Sequence, residues 1–483
     1  MNDRRRMFST FAITSLALFM VSLDNLVVTT ALPVIKADLG ASLAQLEWTV
    51  NAYTLTFAVL LLTGAALGDR FGRRRVFVAS LATFTIGSAA AALAPSGDAL
   101  VIARAIQGLG AAGVMPLTLT LLSAAVPAER RGLALGAWGA ISGLAIAIGP
   151  LVGGAIVEGM SWQWIFWLNV PIGIVGVPLA WRFLAESRGP DAKLDIAGLA
   201  LASSGLFALV WALIHGNGDG WTSAGIVAAF AAAGSLLGAF VAWEARSSSP
   251  MLPLRFFRSR QFAAANGVSL LMSFGVFGSI FLLAQFFQLV QGYSPVEAGL
   301  RTLPWTAMPI LVAPIAGLMI NRVGSRVLLA TGMLLMSIAL AWIAAIASPT
   351  VEYLTMVPAF VMAGTGMSLF FAPTANLILS AVRPEEEGRA SGANNTIREV
   401  GGVFGVAILA SVFSATGGYA SPQAFVDGLV PAVWVGAAVV GVGALVALAL
   451  PARRRVGTAL ELPAGAGLFG ESILVPEPAR IER

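Results

Sequence analysis

Fourteen apolar runs, each roughly 20 residues long, follow one another along this chain, and a run of that length crosses a bilayer as an α-helix. They lie at about 11–33, 48–68, 76–94, 99–124, 133–157, 164–184, 196–214, 222–243, 262–290, 299–320, 327–347, 353–379, 390–415 and 428–450. Hydrophobic residues make up 58% of the chain and charged residues 11%, unlike a soluble globular protein. Only helices and closed barrels satisfy the backbone in lipid, and the runs lack the alternation of barrel strands. We therefore predict an all-α membrane protein with 14 transmembrane helices.

The basic residues predict the orientation of these helices. Arginines precede the first run at 4–6 and follow the second run at 70–75, and most later basic clusters fall on the same side of the membrane. Because basic loops stay in the cytoplasm, both termini are predicted there, in a multi-pass protein of the plasma (cell inner) membrane. The formal net charge of +5 is spread loop by loop, which argues against nucleic-acid binding.

The first run can also be read as a secretory signal peptide, because three arginines precede it. Asp24 inside that run, and the thirteen runs that follow, favour a retained first helix instead. The chain has no cysteine and one histidine, which excludes disulfides, Cys-based metal sites and a zinc-type histidine pair. It also has no Walker-type phosphate-binding loop. We predict no metal, no cofactor and no enzymatic activity.

A weak internal repeat divides the runs into two blocks of six. Gly64–Arg75, after the second run, has a shorter counterpart at Asn321–Arg326. The number of residues that separates these two segments also separates Gly149–Pro150 from Gly401–Gly402. Many transporters are built from such repeats, with the substrate path between them. The predicted division is 1–184 for the first six-helix bundle, 185–261 for a linker with helices 7 and 8, 262–450 for the second six-helix bundle and 451–483 for a cytoplasmic tail.

Asp24 is a carboxylate inside an apolar run, where an ionisable residue costs about 3 kcal/mol or more and usually marks an ion or substrate pathway. Counted along their helices, Asp24 and Arg104 both lie in the predicted outer half and can meet there. Arginine favours the ionised carboxylate and desolvation favours the protonated one, which suits a proton carrier. The alternative is a buried ion pair that only locks two helices. The second block lacks both residues, which favours the proton carrier.

A second polar group lies in the thirteenth run, where four residues are predicted to share one helical face through i,i+4 spacing. These residues are Asn394, Asn395, Arg398 and Glu399. Because facing lipid would be costly, this face is predicted to line a cavity or meet another helix. Glu399 would then be a second proton site or a counter-charge for cationic substrates, but a local Arg398–Glu399 pair fits equally well. Further candidates for lining the cavity are Asn25, Gln107, Gln285 and Gln288.

The loop after the second run predicts a cytoplasmic gate made of Gly64, Asp69, Arg70, Gly72, Arg73 and Arg74. Asp69 can accept hydrogen bonds from a helix N-terminus of the opposite block, while the arginines find acidic partners. Such contacts close the cytoplasmic side and must break when it opens. A solvated cluster that only sets topology would explain the arginines but not the spacing of the glycines.

Gly149, Pro150, Gly153 and Gly154 in the fifth run predict a kinked helix that packs closely. Proline removes a backbone hydrogen bond, and glycine lets a neighbouring helix approach.

Taken in order, these segments resemble the major facilitator superfamily, specifically its fourteen-helix branch of drug:proton antiporters. The resemblance extends to about Pro451. It is carried by Leu23–Pro33, Glu47–Tyr53, Gly64–Arg75, Arg104–Gly110, Ala145–Gly154, Trp162–Gly173 and Gly392–Gly405. The fifth-run segment resembles the motif associated with antiporters, and it departs at Ala145, where a glycine is usual.

The resemblance implies a proton-coupled antiporter that exports hydrophobic drugs or secondary metabolites, cationic ones among them, by alternating access. Asp24, Arg104 and Glu399 would couple the proton gradient to transport. The expected partners are a small-molecule substrate, protons and the lipid bilayer, and the expected state is a monomer. The alternative is a facilitator or proton symporter for a small metabolite on the same scaffold. An intramembrane enzyme or sensor would need a catalytic constellation or a soluble domain.

Overall fold

The computed structural model describes residues 3–127, 141, 144–145, 148–188, 194–383 and 386–450. The side chains of these residues are described too, except at 3–6, 25–26, 321 and 388. Nearly all of them form helices, and no β-strand occurs among them. The helices are α1 (Asp3–Leu39), α2 (Leu43–Phe71), α3 (Arg73–Ala92), α4 (Gly97–Ala125), α5 (Ile148–Gly159), α6 (Trp164–Trp167), α7 (Asn169–Phe183), α8 (Ile196–Asp219), α9 (Ala224–Glu244), α10 (Arg260–Gln285), α11 (Pro295–Thr306), α12 (Met308–Val323), α13 (Ser325–Ile346), α14 (Tyr353–Leu379), α15 (Glu387–Thr416) and α16 (Pro422–Leu448).

The predicted all-α membrane fold is confirmed. Within the described ranges, 13 helical segments are long and apolar enough to cross a membrane. A shorter apolar helix, α5, lies at the position of the fifth predicted helix, and the first part of that prediction falls outside the described residues. We call the side on which α1 ends, at Leu39, the predicted outer side.

Local sequence explains where the helices begin and end. Ser42 and Ser294 each open a helix with a capping box, in which Gln45 and Glu297 return a hydrogen bond to the backbone of the serine. Gly72 and Gly324 occupy equivalent positions of the repeat. They separate α2 from α3 and α12 from α13 with φ values of 110° and 91°, a region that favours glycine.

The tenth predicted helix, at 299–320, is confirmed as one membrane-spanning segment, Pro295–Ile320. This segment is interrupted at Ala307, which separates α11 from α12 just before Pro309 in the first turn of α12. Proline has no backbone N–H and fixes its own φ, so it fits the start of a helix better than its interior. The ninth predicted helix also changes at its end, because Phe286–Val290 form a π-helical turn.

The helices pack as two groups. In the first, α4 packs against α1, α2 and α3, and α7 packs against α1 and α3. In the second, α10 packs against α15 and α16, and α13 packs against α14 and α16. The α8–α9 pair lies beside both groups, because α8 contacts α2 and α15. The groups meet through α2 with α15, α1 with α10, and α1 with α11.

Candidate functional site

Asp24 and Arg104 form a buried ion pair between α1 and α4. Arg104 Nη1 donates to Asp24 Oδ2 at 2.5 Å. Arg104 is 1% exposed and Asp24 is 3% exposed. Two charges so far from water are stable only when their remaining hydrogen-bonding positions are also filled.

The second carboxylate oxygen of Asp24 has two amide partners. Gln107 Nε2 donates to Oδ1 at 2.8 Å, and Asn169 Nδ2 donates to the same atom at 3.0 Å. Both amides also donate to Ser88 Oγ, at 3.1 and 3.0 Å, and Ser88 donates in turn to the carbonyl of Phe166. Helices α1, α3, α4 and α7 are therefore joined at one carboxylate.

Arg104 also has several partners besides Asp24. Its Nε donates to the carbonyl of Thr49 at 3.1 Å, and Nη1 also donates to Gln107 Oε1 at 2.6 Å. Its guanidinium lies 4.2 Å from the centre of the Tyr53 ring, a cation–π contact. A proton placed on Asp24 would leave this buried guanidinium without its counter-charge, so the packing of α1 on α4 is sensitive to protonation.

Glu399 lies on α15 of the second group, within electrostatic range of Tyr53. It is 3% exposed, and Arg398 Nη2 donates to its Oε1 at 3.2 Å. Its Oε2 has no hydrogen-bond partner in the described part of the chain. The local Arg398–Glu399 pair is thus present.

Asn394, in the same predicted helix, has its hydrogen-bond partners on α10. Asn394 donates to Asn266 Oδ1 at 3.1 Å and to Ser269 Oγ at 2.8 Å, both on α10, and so faces the inside of the second group. Asn395 is half-buried. Asn394 thus meets α10, and a shared face for all four residues stays a prediction.

Of the two glutamine candidates, Gln285 is the last residue of α10 and Gln288 lies in the π-helical turn that follows. Gln288 Nε2 donates to the carbonyl of Thr30 at 2.8 Å and so links the two groups. Gln285 accepts a hydrogen bond from the Tyr419 hydroxyl at 2.6 Å. The side chain of Asn25 lies outside the described residues.

The loop between α2 and α3 has its described partners within the first group. Asp69 pairs with Arg73 at 2.8 Å. Glu186, which follows α7, lies 3.7 Å from Arg74 and also accepts a hydrogen bond from the backbone N–H of Arg74. Arg70 is exposed. In this conformation the predicted partners from the opposite block are not seen among the described residues.

The glycines of the fifth predicted helix lie at helix contacts. A Cβ on Gly153 would come within 2.8 Å of the carbonyl of Val27 in α1. One on Gly154 would collide with the carbonyl of Pro295 at the start of α11. Gly149 and Pro150 are buried, and the carbonyl of Pro150 faces Gly299 of α11. Gly64 likewise lets α2 approach α4, because an added Cβ would overlap the carbonyl of Ala112.

Gly154→Val is expected to loosen the contact between α5 and α11, because a steric overlap costs about 1–3 kcal/mol. The chain has no cysteine, so a cysteine introduced at Thr302 of α11 can be labelled selectively. A membrane-impermeant maleimide should label it roughly fivefold faster, or more, in the Gly154→Val background. Gly159→Val is the matched control, because an added Cβ there meets no atom within 4 Å. Equal rates in the two backgrounds would contradict a tight α5–α11 contact.

Sequence reasoning missed several members of the buried network, namely Ser88, Asn169, Thr49 and Tyr53. Asn169 and Tyr53 lie inside segments that carry the family resemblance, which was the one signal available for them. Ser88 is a small polar residue in an alanine-rich helix, and Thr49 contributes only its carbonyl.

The family model described as Major Facilitator Superfamily matches residues 14–406, and a second match covers 266–469. The chain belongs to this superfamily. The resemblance found in the sequence is therefore confirmed, and the chain is a multi-pass membrane protein of a transporter family.

Several of its curated relatives are named as drug resistance or export proteins. It is 34% identical over 432 residues to the Tetracenomycin C resistance and export protein of Streptomyces glaucescens, covering 89% of this chain and 80% of that protein. It is 36% identical over 413 residues to the Multidrug resistance protein Stp of Mycobacterium tuberculosis (strain ATCC 25618 / H37Rv), covering 85% and 76%. It is 34% identical over 419 residues to the Methylenomycin A resistance protein of Streptomyces coelicolor, covering 86% and 87%.

Solved structures show the same fold at low sequence identity. A peptide transporter POT in complex with sulfate has a TM-score of 0.68 at 15% identity, covering 93% of this chain and 98% of that one. A bacterial homologue of the human lysosomal transporter Spinster, inward-facing and unoccupied, has a TM-score of 0.64 at 17% identity, covering 92% and 97%.

Proposed function

We propose that the protein is a proton-coupled antiporter that exports hydrophobic drugs or secondary metabolites, cationic ones among them. The observation that carries this proposal is the buried carboxylate of Asp24, bound by Arg104 and two amides at the junction of four helices. The resistance and export functions in the names of its relatives support the choice of cargo.

In the proposed cycle, the two helix groups rock against each other around a central path. With Asp24 ionised, Arg104 is fully partnered and α1 is held on α4. Proton binding at Asp24 removes this partner and weakens the junction, which changes the relative free energies of the two conformations. Glu399 of the second group lies within electrostatic range of Tyr53, whose ring contacts Arg104.

The contacts between the groups support a conformation closed on the predicted outer side. Gln288 binds the carbonyl of Thr30 across the groups. At the start of α11, Ser294 Oγ donates to Glu158 of α5 at 2.6 Å. We propose that these contacts open when cargo is released, and that the α2–α3 loop then takes partners from the opposite group.

The orientation of the chain, its membrane, its oligomeric state and its energy source are part of the same proposal. Both termini would lie in the cytoplasm, the membrane would be the plasma membrane, and the working unit would be a monomer. The energy source would be the proton gradient, without a bound cofactor.

The test is substrate-induced proton movement in inside-out vesicles with an acidified lumen. Added compounds should be neutral or permanently charged, because weak bases collapse a pH gradient without a transporter. An antiporter will dissipate the gradient in step with uptake of at least one compound of a hydrophobic panel. Uptake that leaves the gradient unchanged would favour the facilitator. Absence of uptake from outside, with release of lumenal metabolite down the gradient, would favour the symporter.

A further inference from the structure

Two carboxyl groups lie together where α8 begins and α9 ends, on the side of the membrane predicted to be cytoplasmic. Glu244, the last residue of α9, is 3% exposed, and Asp195 is the N-cap of α8. Asp195 Oδ2 and Glu244 Oε1 are both buried, and neither atom has a hydrogen-bond partner among the described residues. Unpartnered buried polar atoms are costly and rare, so two of them in one place point to a missing ligand.

The two unpartnered oxygens lie beside the same glycine. A Cβ built on Gly198, in the first turn of α8, would lie 2.7 Å from Asp195 Oδ2 and 2.7 Å from Glu244 Oε1. The two oxygens are therefore no more than twice that distance apart. Because Gly198 has no side chain, α9 can bring its carboxyl group to the start of α8. Two ionised carboxylates this close repel each other, whereas one shared proton gives both oxygens a partner.

The other oxygen of each carboxyl group is already bound by N–H groups. Asp195 Oδ1 accepts hydrogen bonds from the backbone N–H of Gly198 at 2.8 Å and from Trp243 Nε1 at 2.7 Å. Glu244 Oε2 accepts one from the backbone N–H of Leu252 at 3.0 Å. These donors, together with the positive end of α8, stabilise one negative charge on the pair.

No basic side chain in the described part of the chain neutralises a second charge. Neither carboxyl group forms a salt bridge there. The guanidinium of Arg246, the basic residue closest in sequence to Glu244, donates to a backbone carbonyl of α9. At the same end of α2, which packs against α8, Asp69 is paired with Arg73. The charged side chain that acts on Glu244 is that of Asp195.

The pair also contacts the segment that leads from α9 into the second helix group. Leu252, whose backbone N–H binds Glu244, belongs to the linker 245–259 between α9 and α10. Its neighbour Met251 accepts a hydrogen bond through Sδ from Thr63 of α2 at 3.9 Å. The linker is therefore bound to α9 through one residue and to α2 through the next, so a change of charge at Glu244 reaches the linker directly.

We propose that Asp195 and Glu244 share one proton and form a second proton-binding site, separate from Asp24, that holds the linker 245–259 on α9. Loss of this proton to the cytoplasm leaves two like charges buried together. Movement of Glu244 toward water relieves their repulsion and releases the backbone N–H of Leu252. The linker is thus ordered at low pH and becomes mobile as the pH rises. The inference goes beyond the proposed export function, because this proton binds without cargo.

The test follows the linker with a spin label on the full-length protein in lipid nanodiscs, with a chelator present so that no divalent cation replaces the proton. The chain has no cysteine, so Ser248→Cys, at an exposed position of the linker, carries a single label. Carboxylates that share a site release their last proton at a higher pH than a lone carboxyl group. Between about pH 5 and 9, the rotational correlation time of the label should therefore shorten roughly twofold or more in one step.

Glu244→Gln should remove this step and keep the label in its low-pH state, because its uncharged amide can donate to Asp195 Oδ2 at every pH. Asp219→Asn is the matched control, since Asp219 is an exposed carboxylate at the other end of α8, and it should keep the step. A wild-type label whose mobility does not change with pH, or a step that survives in Glu244→Gln, would refute the shared proton.

Infrared difference spectra of the same samples detect the proton directly, whatever the label reports. Wild type should lose the C=O band of a protonated carboxyl group over the pH range of the step. The band should be absent from Glu244→Gln and from Asp195→Asn, which still provides a good N-cap for α8. It should persist in Asp24→Asn, which keeps the Asp195–Glu244 pair. A band that disappears in Asp24→Asn and survives in the other two variants would assign the proton to Asp24 and overturn the second site.

Discussion

Asp24→Asn is expected to abolish drug-dependent proton movement, with a loss of roughly 100-fold or more, because breaking a buried charge pair costs about 3–5 kcal/mol. Asparagine has nearly the same shape and can still accept hydrogen bonds from Gln107 and Asn169. It cannot carry a proton on a carboxylate, and it gives Arg104 no counter-charge. Insertion into the membrane should be unaffected, since the substitution lowers the charge of an apolar helix.

The measurement is dissipation of the pH gradient and substrate uptake in the same inside-out vesicles, normalised to the amount of inserted protein. Asp38→Asn is the matched control, because Asp38 lies on the same helix but is exposed and binds Trp162. It should keep at least half of wild-type transport. Undiminished gradient-driven transport in Asp24→Asn would remove this carboxylate from the coupling mechanism.

The fold was predictable because the bilayer imposes a length on every crossing helix. The lengths of the apolar runs identified the membrane segments, and the distribution of the basic residues predicted their orientation. The break between α11 and α12 was missed because the apolar run continues across Pro309, so hydropathy carries no sign of it. A proline inside a run is ambiguous by itself, since α14 passes through Pro358 and Pro373 without a break.

The candidate site was predictable only in part. The contact between Asp24 and Arg104 was predictable, because the depth of each residue in the membrane can be counted from the rise per residue of its helix. Which face of a helix meets which neighbour cannot be counted in this way. Ser88 entered the network through the packing of α3, and the partners of Asn394 on α10 could not be named because the neighbours of α15 were unknown.

Glu47 illustrates the same limit. In the sequence it is an acidic residue beside Trp48 near the end of a helix, where exposure to water is the default expectation. It is 3% exposed, and α2, on which it lies, packs against α15, more than 300 positions later in the chain. Contacts of such sequence separation are set by the tertiary fold and leave no local pattern.

Arg104→Met is expected to destabilise the protein and to abolish transport, because it leaves Asp24 buried without its counter-charge. Loss of one member of a buried pair costs about 3–5 kcal/mol. Methionine keeps much of the apolar volume beside Tyr53, so the main loss is electrostatic. The thermal unfolding midpoint in nanodiscs and drug-dependent proton movement should both fall.

Adding Asp24→Asn to Arg104→Met separates chemistry from packing. The double variant has no buried charge at the junction, so its unfolding midpoint should recover most of the loss, with a coupling energy of about 1–3 kcal/mol. Transport should not recover, because no titratable group remains between α1 and α4. If Asp24 and Arg104 served only to lock the two helices, the repaired packing would bring transport back together with stability. Recovery of both would therefore overturn the proton-carrier role, whereas recovery of stability alone requires the carboxylate for coupling.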